Sequence, residues 1–147
     1  MNSNILFNTP SHPFSFECEG KIPCRICHVY DGDTVHAVID FKGDATRIIC
    51  RLYGINTPEM NEGEKAFRAR NRVIQLLTDV TIDLDDMTSS KKREFVDRIH
   101  QNKKIVYVSL CGRDKYGREL AVFYDNDLSI NDILINENHC VAYMIHK

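Results

Sequence analysis

The sequence predicts an α+β fold that is mainly β: a small antiparallel barrel of five strands with two or three helices. Three consecutive runs of strand-forming residues are joined by tight turns, and two further strand-like runs follow a helical segment. The length of 147 residues is that of one domain. We therefore expect one small barrel rather than several domains.

The composition excludes several classes of protein. Hydrophobic residues make up 43% of the chain and charged residues 27%, which is typical of a folded globular protein and not of a disordered one. No run approaches the ~18 apolar residues of a membrane span, and residues 1–20 lack the pattern of a secretory signal. We expect no membrane partner, an intracellular location, and a monomer or weak oligomer. The formal charge of −2 gives no overall basic signature for nucleic-acid binding.

The first third of the chain predicts an N-terminal arm and three strands in a meander: residues 1–21, 22–30, 34–41 and 46–53. The connection between the first two strands contains the pair Asp31-Gly32, which is a strong hairpin signal between two strand-forming runs. Alternation in the third strand places Cys50 and Leu52 on one face and Arg51 on the other.

A loop at residues 54–59 leads into the first predicted helix. Asn61 and Glu64 have the spacing of a capping box, and apolar residues then repeat at helical spacing as far as Leu77. The helix also contains three arginines that cannot all share one face: Arg68, Arg70 and Arg72. We interpret these arginines as part of a solvated helix surface.

Residues 79–104 are the least regular part of the sequence. The first nine of them contain four Asp and no basic residue, whereas residues 88–104 contain six basic and two acidic residues. The run from Val80 to Leu84 alternates like a short strand, and residues 90–101 predict a helix that begins near Ser89 or Ser90. We interpret the basic segment as a solvated face, with a nucleic-acid contact as the alternative.

The C-terminal part predicts two strands, the charged loop between them, a helix and a short tail: residues 104–111, 119–124, 112–118, 129–138 and 141–145. Ser129 followed by Asp132 provides the start signal of that helix.

The six cysteines occur without a recognisable secretory signal, so we expect reduced thiols rather than a disulfide framework. Cys24 and Cys27 have a spacing known from zinc and redox sites. They lie on a predicted strand, however, where positions three apart face opposite sides. We interpret them as core residues. The alternative is a zinc or redox site that also uses Cys18 and His28.

Several predicted loops carry side chains that suit a metal-assisted phosphodiesterase. Oxygen donors on the turn at Asp33 and on the loop 56–59 are ligands that calcium, magnesium and manganese prefer. Two arginines, Arg51 and Arg118, suit a phosphate because a planar guanidinium binds two of its oxygens at once. A carboxylate beside the metal accepts a proton from an attacking water. Each motif by itself also has a structural explanation as a turn or a solvated loop.

Three motifs, in order along the chain, resemble the staphylococcal nuclease (thermonuclease) family: Tyr30-Asp31-Gly32-Asp33-Thr34, Arg51-Leu52-Tyr53-Gly54-Ile55-Asn56-Thr57-Pro58-Glu59 and Asp114-Lys115-Tyr116-Gly117-Arg118. The similarity runs from about residue 22 to 144 and includes the tail Val141-Ala142-Tyr143. It implies an OB-fold barrel over residues 22–147. It also implies calcium-dependent hydrolysis of DNA and RNA to products with 3′-phosphates.

The resemblance also implies a role for nine residues by motif position. Two guanidiniums grip the phosphate, and one carboxylate acts as general base or orients the water: Arg51, Arg118 and Glu59. The metal positions hold two side chains and one backbone carbonyl: Asp33, Asn56 and Thr57. The nucleotide pocket is lined by one cation and two aromatics: Lys115, Tyr116 and Tyr143. The implied cofactor is Ca²⁺, with Mg²⁺ or Mn²⁺ as alternatives, and the implied partner is DNA or RNA, preferably single-stranded.

The sequence departs from the family pattern in three places. Asn56 stands where the family has a second metal-binding Asp, so we expect a weaker or more permissive metal site. An insertion at about residues 79–103 is interpreted as a lid, a substrate-contacting arm or an inert segment. The chain ends soon after Tyr143, with Ile145 where a second aromatic is expected, which predicts looser base contacts. The alternative function is a non-catalytic nucleic-acid-binding OB-fold module.

Overall fold

The computed structural model of the protein describes residues 18–86 and 89–143, without the side chains of residues 89–94. The strands are β1 (Ile22–Val29), β2 (Thr34–Phe41), β3 (Asp44–Leu52), β4 (Ile55–Asn56), β5 (Val106–Arg113), β6 (Glu119–Asp125), β7 (Leu128–Ser129) and β8 (Val141–Ala142). The α-helices are α1 (Glu64–Leu77), α2 (Ser89–His100) and α3 (Ile130–Asn136), and a 3₁₀ turn spans Met60–Glu62.

Five long strands form a closed barrel, which confirms the predicted fold class and its OB-like architecture. β1 pairs antiparallel with β2 and with β5, and β2–β3 and β5–β6 are also antiparallel. The barrel closes through β3 and β6, which run parallel, with Arg51 opposite Leu120. The sheet is therefore mixed rather than purely antiparallel as predicted. A parallel pair joins segments far apart in the sequence, so local turn signals do not reveal it.

The barrel core follows the expected alternation along the strands. Val35, Ala37 and Ile39 of β2 face inward, and the neighbouring residues of that strand do not. β3 breaks this pattern at its end, where Cys50, Arg51 and Leu52 are all buried. Arg51 points away from the core, but loops cover it from the outside. A charged side chain is therefore buried at the end of β3.

The start of α1 differs from its prediction. The predicted capping box of Asn61 and Glu64 is wrong: α1 begins after Gly63, whose φ of 78° is a conformation that favours glycine. A capping box does exist one turn earlier, where the Glu62 carboxylate accepts the backbone N–H of Glu59. The chain thus makes a separate 3₁₀ turn before the helix.

The predicted solvated surface of α1 is wrong for Arg70, which is only 6% exposed. Its Nε and Nη2 both donate to Oδ1 of Asn71, and its guanidinium lies 5.1 Å from the centre of the Phe67 ring. Arg70 is buried because the polypeptide beyond residue 79 folds back over this helix, a contact that helical periodicity does not show.

In the insertion, the helix predicted over residues 90–101 is confirmed as α2, whereas the strand predicted from Val80 to Leu84 is absent. Val80 and Ile82 are nevertheless buried and Thr81 and Asp83 exposed, so the alternation marks an extended segment that pairs with no other strand. The side chains of Ser89 and Ser90, predicted to cap α2, lie outside the described residues.

One prediction about the cysteines is wrong for two of them, and another is confirmed. Cys18 and Cys111 form a disulfide, because the arm runs beside β5 and Glu19 donates its N–H to the carbonyl of Leu110. Cys24 and Cys27 are free and both buried, which confirms their interpretation as core residues. A register irregularity between Ile26 and His28 shifts the alternation in β1.

Two predicted features lie wholly or partly outside the described residues: the N-terminal arm, of which residues 1–17 are not described, and the end of the tail, which contains Ile145. Within the described residues, no helix is long and apolar enough to cross a membrane.

Candidate active site

The turn between β1 and β2 presents Asp33 to a neighbouring loop. Oδ1 of Asp31 accepts the backbone N–H groups of Asp33 at 3.0 Å and Thr34 at 2.8 Å, which fixes the turn. At Gly32 there is no room for a side chain, because an added Cβ would lie 2.8 Å from Cγ2 of Thr57. The Asp-Gly pair therefore sets both the hairpin and the close approach of the loop around Thr57.

A buried network joins Asp33 to three other predicted site residues. Its Oδ2 accepts the backbone N–H of Thr57 at 3.1 Å and lies 2.9 Å from Nη1 of Arg51. Nη2 of Arg51 in turn donates to Oδ1 of Asn56 at 3.3 Å. Both charged side chains are about nine-tenths buried. A pair so enclosed is held in one geometry, since either charge left alone would be costly.

The oxygen atoms around Asp33 fit a hard divalent cation. Burial raises the pKa of the Asp31 carboxyl to about 6, with a further contribution from the nearby charge of Asp33. The hydroxyl of Thr57 is buried without a hydrogen-bond partner. Carboxylate, amide, hydroxyl and carbonyl oxygens suit calcium or magnesium and not zinc. Within the described residues, no three His, Cys, Asp or Glu side chains form a metal-binding group, so a cation here would rely on these uncharged oxygens as well.

Arg118 reaches the same place from the hairpin between β5 and β6. Asp114 holds that hairpin: its Oδ1 accepts the N–H groups of Tyr116 and Arg118, and its Oδ2 lies 2.7 Å from Nε of Arg118. Burial opposes the charged form of Asp114, but these bonds from Arg118 and Tyr116 outweigh it and lower its pKa. The other end of Arg118 donates from Nη1 to the hydroxyl of Thr34 at 3.3 Å. Both arginines thus lie beside the turn that carries Asp33.

Glu59 lies on the rim of this cleft, as the N-cap of the 3₁₀ turn. It is exposed, and no buried network holds its side chain in the way that Asp33 is held. The cleft has a volume of about 680 Å³ and is lined by Asp31, Asp33, Arg51, Asn56, Thr57, Glu59 and Arg118 among others. All three predicted catalytic residues and all three predicted metal residues therefore share one cavity.

The predicted nucleotide-binding residues line an adjoining recess of about 430 Å³. Lys115 and Tyr116 come from the hairpin, and Tyr143 comes from the tail, where its N–H donates to the carbonyl of Gly54. Tyr116 is 73% and Tyr143 50% exposed. Two exposed aromatic rings beside the arginines provide surfaces on which bases stack.

Sequence reasoning assigned no functional role to five residues of the cleft: Tyr30, Asp31, Thr34, Met60 and Asn61. Asp31 could have been found from the Asp-x-Asp spacing, because two carboxylates on one tight turn must lie close together. Thr34 could not, since its contact with Arg118 spans 84 residues.

No protein-family model matches this chain, and no curated protein matches it either. The functional interpretation therefore depends on the geometry of the cleft together with the resemblance of its three motifs.

Proposed function

We propose that the protein is a metal-dependent nuclease that hydrolyses phosphodiester bonds of DNA or RNA, with Ca²⁺ as its cofactor. The observation that carries the proposal is the convergence of two guanidiniums, a cluster of oxygen donors and an exposed carboxylate on one 680 Å³ cleft. Phosphodiester hydrolysis passes through a dianionic transition state, which needs concentrated positive charge beside a group that accepts a proton.

The residues divide the reaction between them. Arg51 and Arg118 bind the non-bridging oxygens of the phosphate, and their anchors Asp33 and Asp114 keep both guanidiniums facing the cleft. Glu59 takes a proton from the attacking water while the oxygen of that water bonds to phosphorus. The bond from phosphorus to the 5′-oxygen breaks, that oxygen takes a proton from solvent, and the phosphate stays on the 3′-oxygen.

A divalent cation held by Asp33, Asn56 and the carbonyl of Thr57 would supply Lewis-acid stabilisation of the phosphate charge. The exposed aromatics Tyr116 and Tyr143, with Lys115, support a flexible strand whose bases are free to stack. A single-stranded substrate therefore fits the recess better than a duplex.

The test is digestion of single-stranded DNA by the purified protein with Ca²⁺ and with a calcium chelator. We expect cleavage with Ca²⁺ only, and a loss of about 10²–10⁴-fold in Glu59→Gln, as for removal of a general base. Glu64→Gln is the matched control, because Glu64 is an exposed carboxylate at the start of α1, outside the cleft lining.

Other outcomes would contradict the proposal. Binding of DNA without cleavage would indicate a non-catalytic binding module, and equal losses in both glutamate variants would remove Glu59 from the mechanism. Zinc that co-purifies with the protein would contradict a calcium-dependent mechanism.

A further inference from the structure

We propose that a second groove, formed by the insertion, binds a nucleobase of the same strand whose phosphate lies in the cleft. This inference rests on the proposed nuclease function and adds a substrate contact to it. The groove has a volume of about 250 Å³ and lies between β1, α1 and α2, next to the turn that carries Asp33. Its lining includes His28, Tyr30, Arg70, Phe95, Val96 and Ile99.

The groove adjoins the proposed catalytic cleft at Tyr30. This side chain lines both cavities and is 59% exposed. The turn that follows it packs against the loop that carries Thr57 and against α1. A Cβ added at Gly32 would lie 2.8 Å from Cγ2 of Thr57 and 3.0 Å from Cβ of Ala69. A strand that leaves the cleft on this side therefore passes over the ring of Tyr30 before it meets the groove.

The groove is formed before any ligand binds, because the insertion is fastened to α1 from within. Asn71 is fully buried, and its Nδ2 donates to the carbonyls of Asp83, Leu84 and Asp86 at 3.0–3.2 Å. Its Oδ1 accepts two bonds from Arg70, which fixes that guanidinium in the wall. A preformed wall reduces the ordering that binding would otherwise cost.

The chemistry of the walls suits a nucleobase, which has two flat apolar faces and polar edges. Phe95 and Ile99 are buried at the base of the groove, and Val96 stands at its rim, 37% exposed. His28 and Arg70 supply polar groups at the sides, and none of the described residues that line the groove is acidic. The volume is below the ~300–1,000 Å³ of pockets for drug-sized ligands, so it accommodates one ring system.

The occupant is inferred from position and charge. The groove opens beside the cleft that holds Arg51 and Arg118, so the phosphates of a strand bound there would direct its bases along this path. On the neighbouring strands, Arg47 adds one further cation, whose Nε donates to Nδ1 of His36 at 3.1 Å. An apolar peptide has no phosphate to bind in the adjoining cleft, so a nucleotide strand fits the two cavities together better.

The test compares short and long oligonucleotides in the Glu59→Gln background, where cleavage is suppressed, by fluorescence anisotropy with Ca²⁺. A dinucleotide fills only the cleft, whereas an octanucleotide also reaches the groove. We expect Val96→Asp to weaken binding of the octanucleotide about tenfold, within the range for loss of one stacked base. Binding of the dinucleotide should change less than twofold. Ile105→Asp is the matched control, because Ile105 is an exposed apolar residue outside the groove.

The outcomes separate the two proposals. Equal octanucleotide affinities for Val96→Asp and Ile105→Asp would overturn the subsite and leave the nuclease proposal intact. If neither oligonucleotide binds the Glu59→Gln protein, both the groove proposal and the nuclease proposal are overturned. If thermal unfolding shows that Val96→Asp is not folded, His28→Ala on β1 takes its place with the same expected pattern.

Discussion

The two sides of the proposed catalytic cleft are built differently. On the barrel side, Asp33 and Arg51 form an ion pair that is about nine-tenths buried and is joined to the backbone of Thr57. On the hairpin side, Arg118 is paired with Asp114 inside one turn of chain; the Arg118 side chain is 30% exposed, whereas that of Asp114 is 7% exposed. One half of the site is therefore part of the packed fold, and the other half is attached to its surface.

The difference predicts where stability and activity are coupled. A buried charge that loses its partner destabilises the fold, whereas a partly exposed ion pair contributes little because water screens it. Substitutions on the barrel side should lower both activity and the free energy of unfolding. Substitution of Arg118 on the hairpin side should mainly lower activity, because the backbone N–H groups of Tyr116 and Arg118 still bind the Asp114 carboxylate.

The largest effect is expected for Asp33→Ala. It leaves Arg51 buried without its partner and removes a predicted metal ligand, so we expect a loss of about 3–5 kcal/mol in the free energy of unfolding together with loss of nuclease activity. Urea unfolding and a cleavage assay measure the two quantities. Asp125→Ala is the control: its pair with Lys104 is about one-third exposed, so a loss below about 1 kcal/mol is expected. Equal losses of unfolding free energy in the two variants would contradict the expectation that a buried ion pair contributes more than a partly exposed one.

A smaller and purely functional effect is expected for Arg118→Ala. Removing one donor to the phosphate should reduce the cleavage rate about 10²–10³-fold while the unfolding midpoint stays almost unchanged. The matched control is Arg113→Ala, because Arg113 belongs to the same hairpin but is 72% exposed and pairs with Glu119. If both variants lose activity equally, the hairpin contributes general positive charge and Arg118 has no particular role.

The smallest effect is expected for Asn56→Asp, on the exposed edge of the barrel side. A second carboxylate beside Asp33 adds charge for a cation, so the apparent affinity for Ca²⁺ should rise about tenfold, a factor that corresponds to 1.4 kcal/mol. Isothermal titration calorimetry with Ca²⁺ measures the affinity of each of the two proteins. Unchanged affinity would show that the amide oxygen, held by Arg51 at 3.3 Å, is not a ligand.

Much of the site could be predicted because its parts lie on short local motifs. The sequence predicts three exposed connections, all of which meet at the cleft: the turn at Asp31-Gly32, the loop from Asn56 to Glu59 and the hairpin before Arg118. Their meeting depends on the barrel, which brings β3 and β6 side by side. The sequence spacing of the three motifs does not show that they meet in space. Their resemblance to a known family predicted it.

Other features of the site escaped prediction because they depend on what covers a residue. Alternation correctly placed Arg51 on the outer face of β3, yet this face is closed by the turn at Asp33 and the loop at Thr57. Helical periodicity likewise placed Arg70 on a surface that the insertion then buries. A sequence pattern gives the direction of a side chain within its own element and not the contacts made from elsewhere.

The sequence by itself determined the order of the strands, the hairpin turns and the helix that Ser129 caps, where Asp132 donates its N–H to the serine hydroxyl. These features follow from backbone preferences and alternation over a few residues, which each segment carries within itself. Only the tertiary structure decided the parallel closure of the barrel, the disulfide between Cys18 and Cys111, and the burial of the Asp33–Arg51 pair. Each of these depends on segments that meet only when the chain folds, since the energy of such contacts comes from burial and pairing across the fold rather than from local conformation.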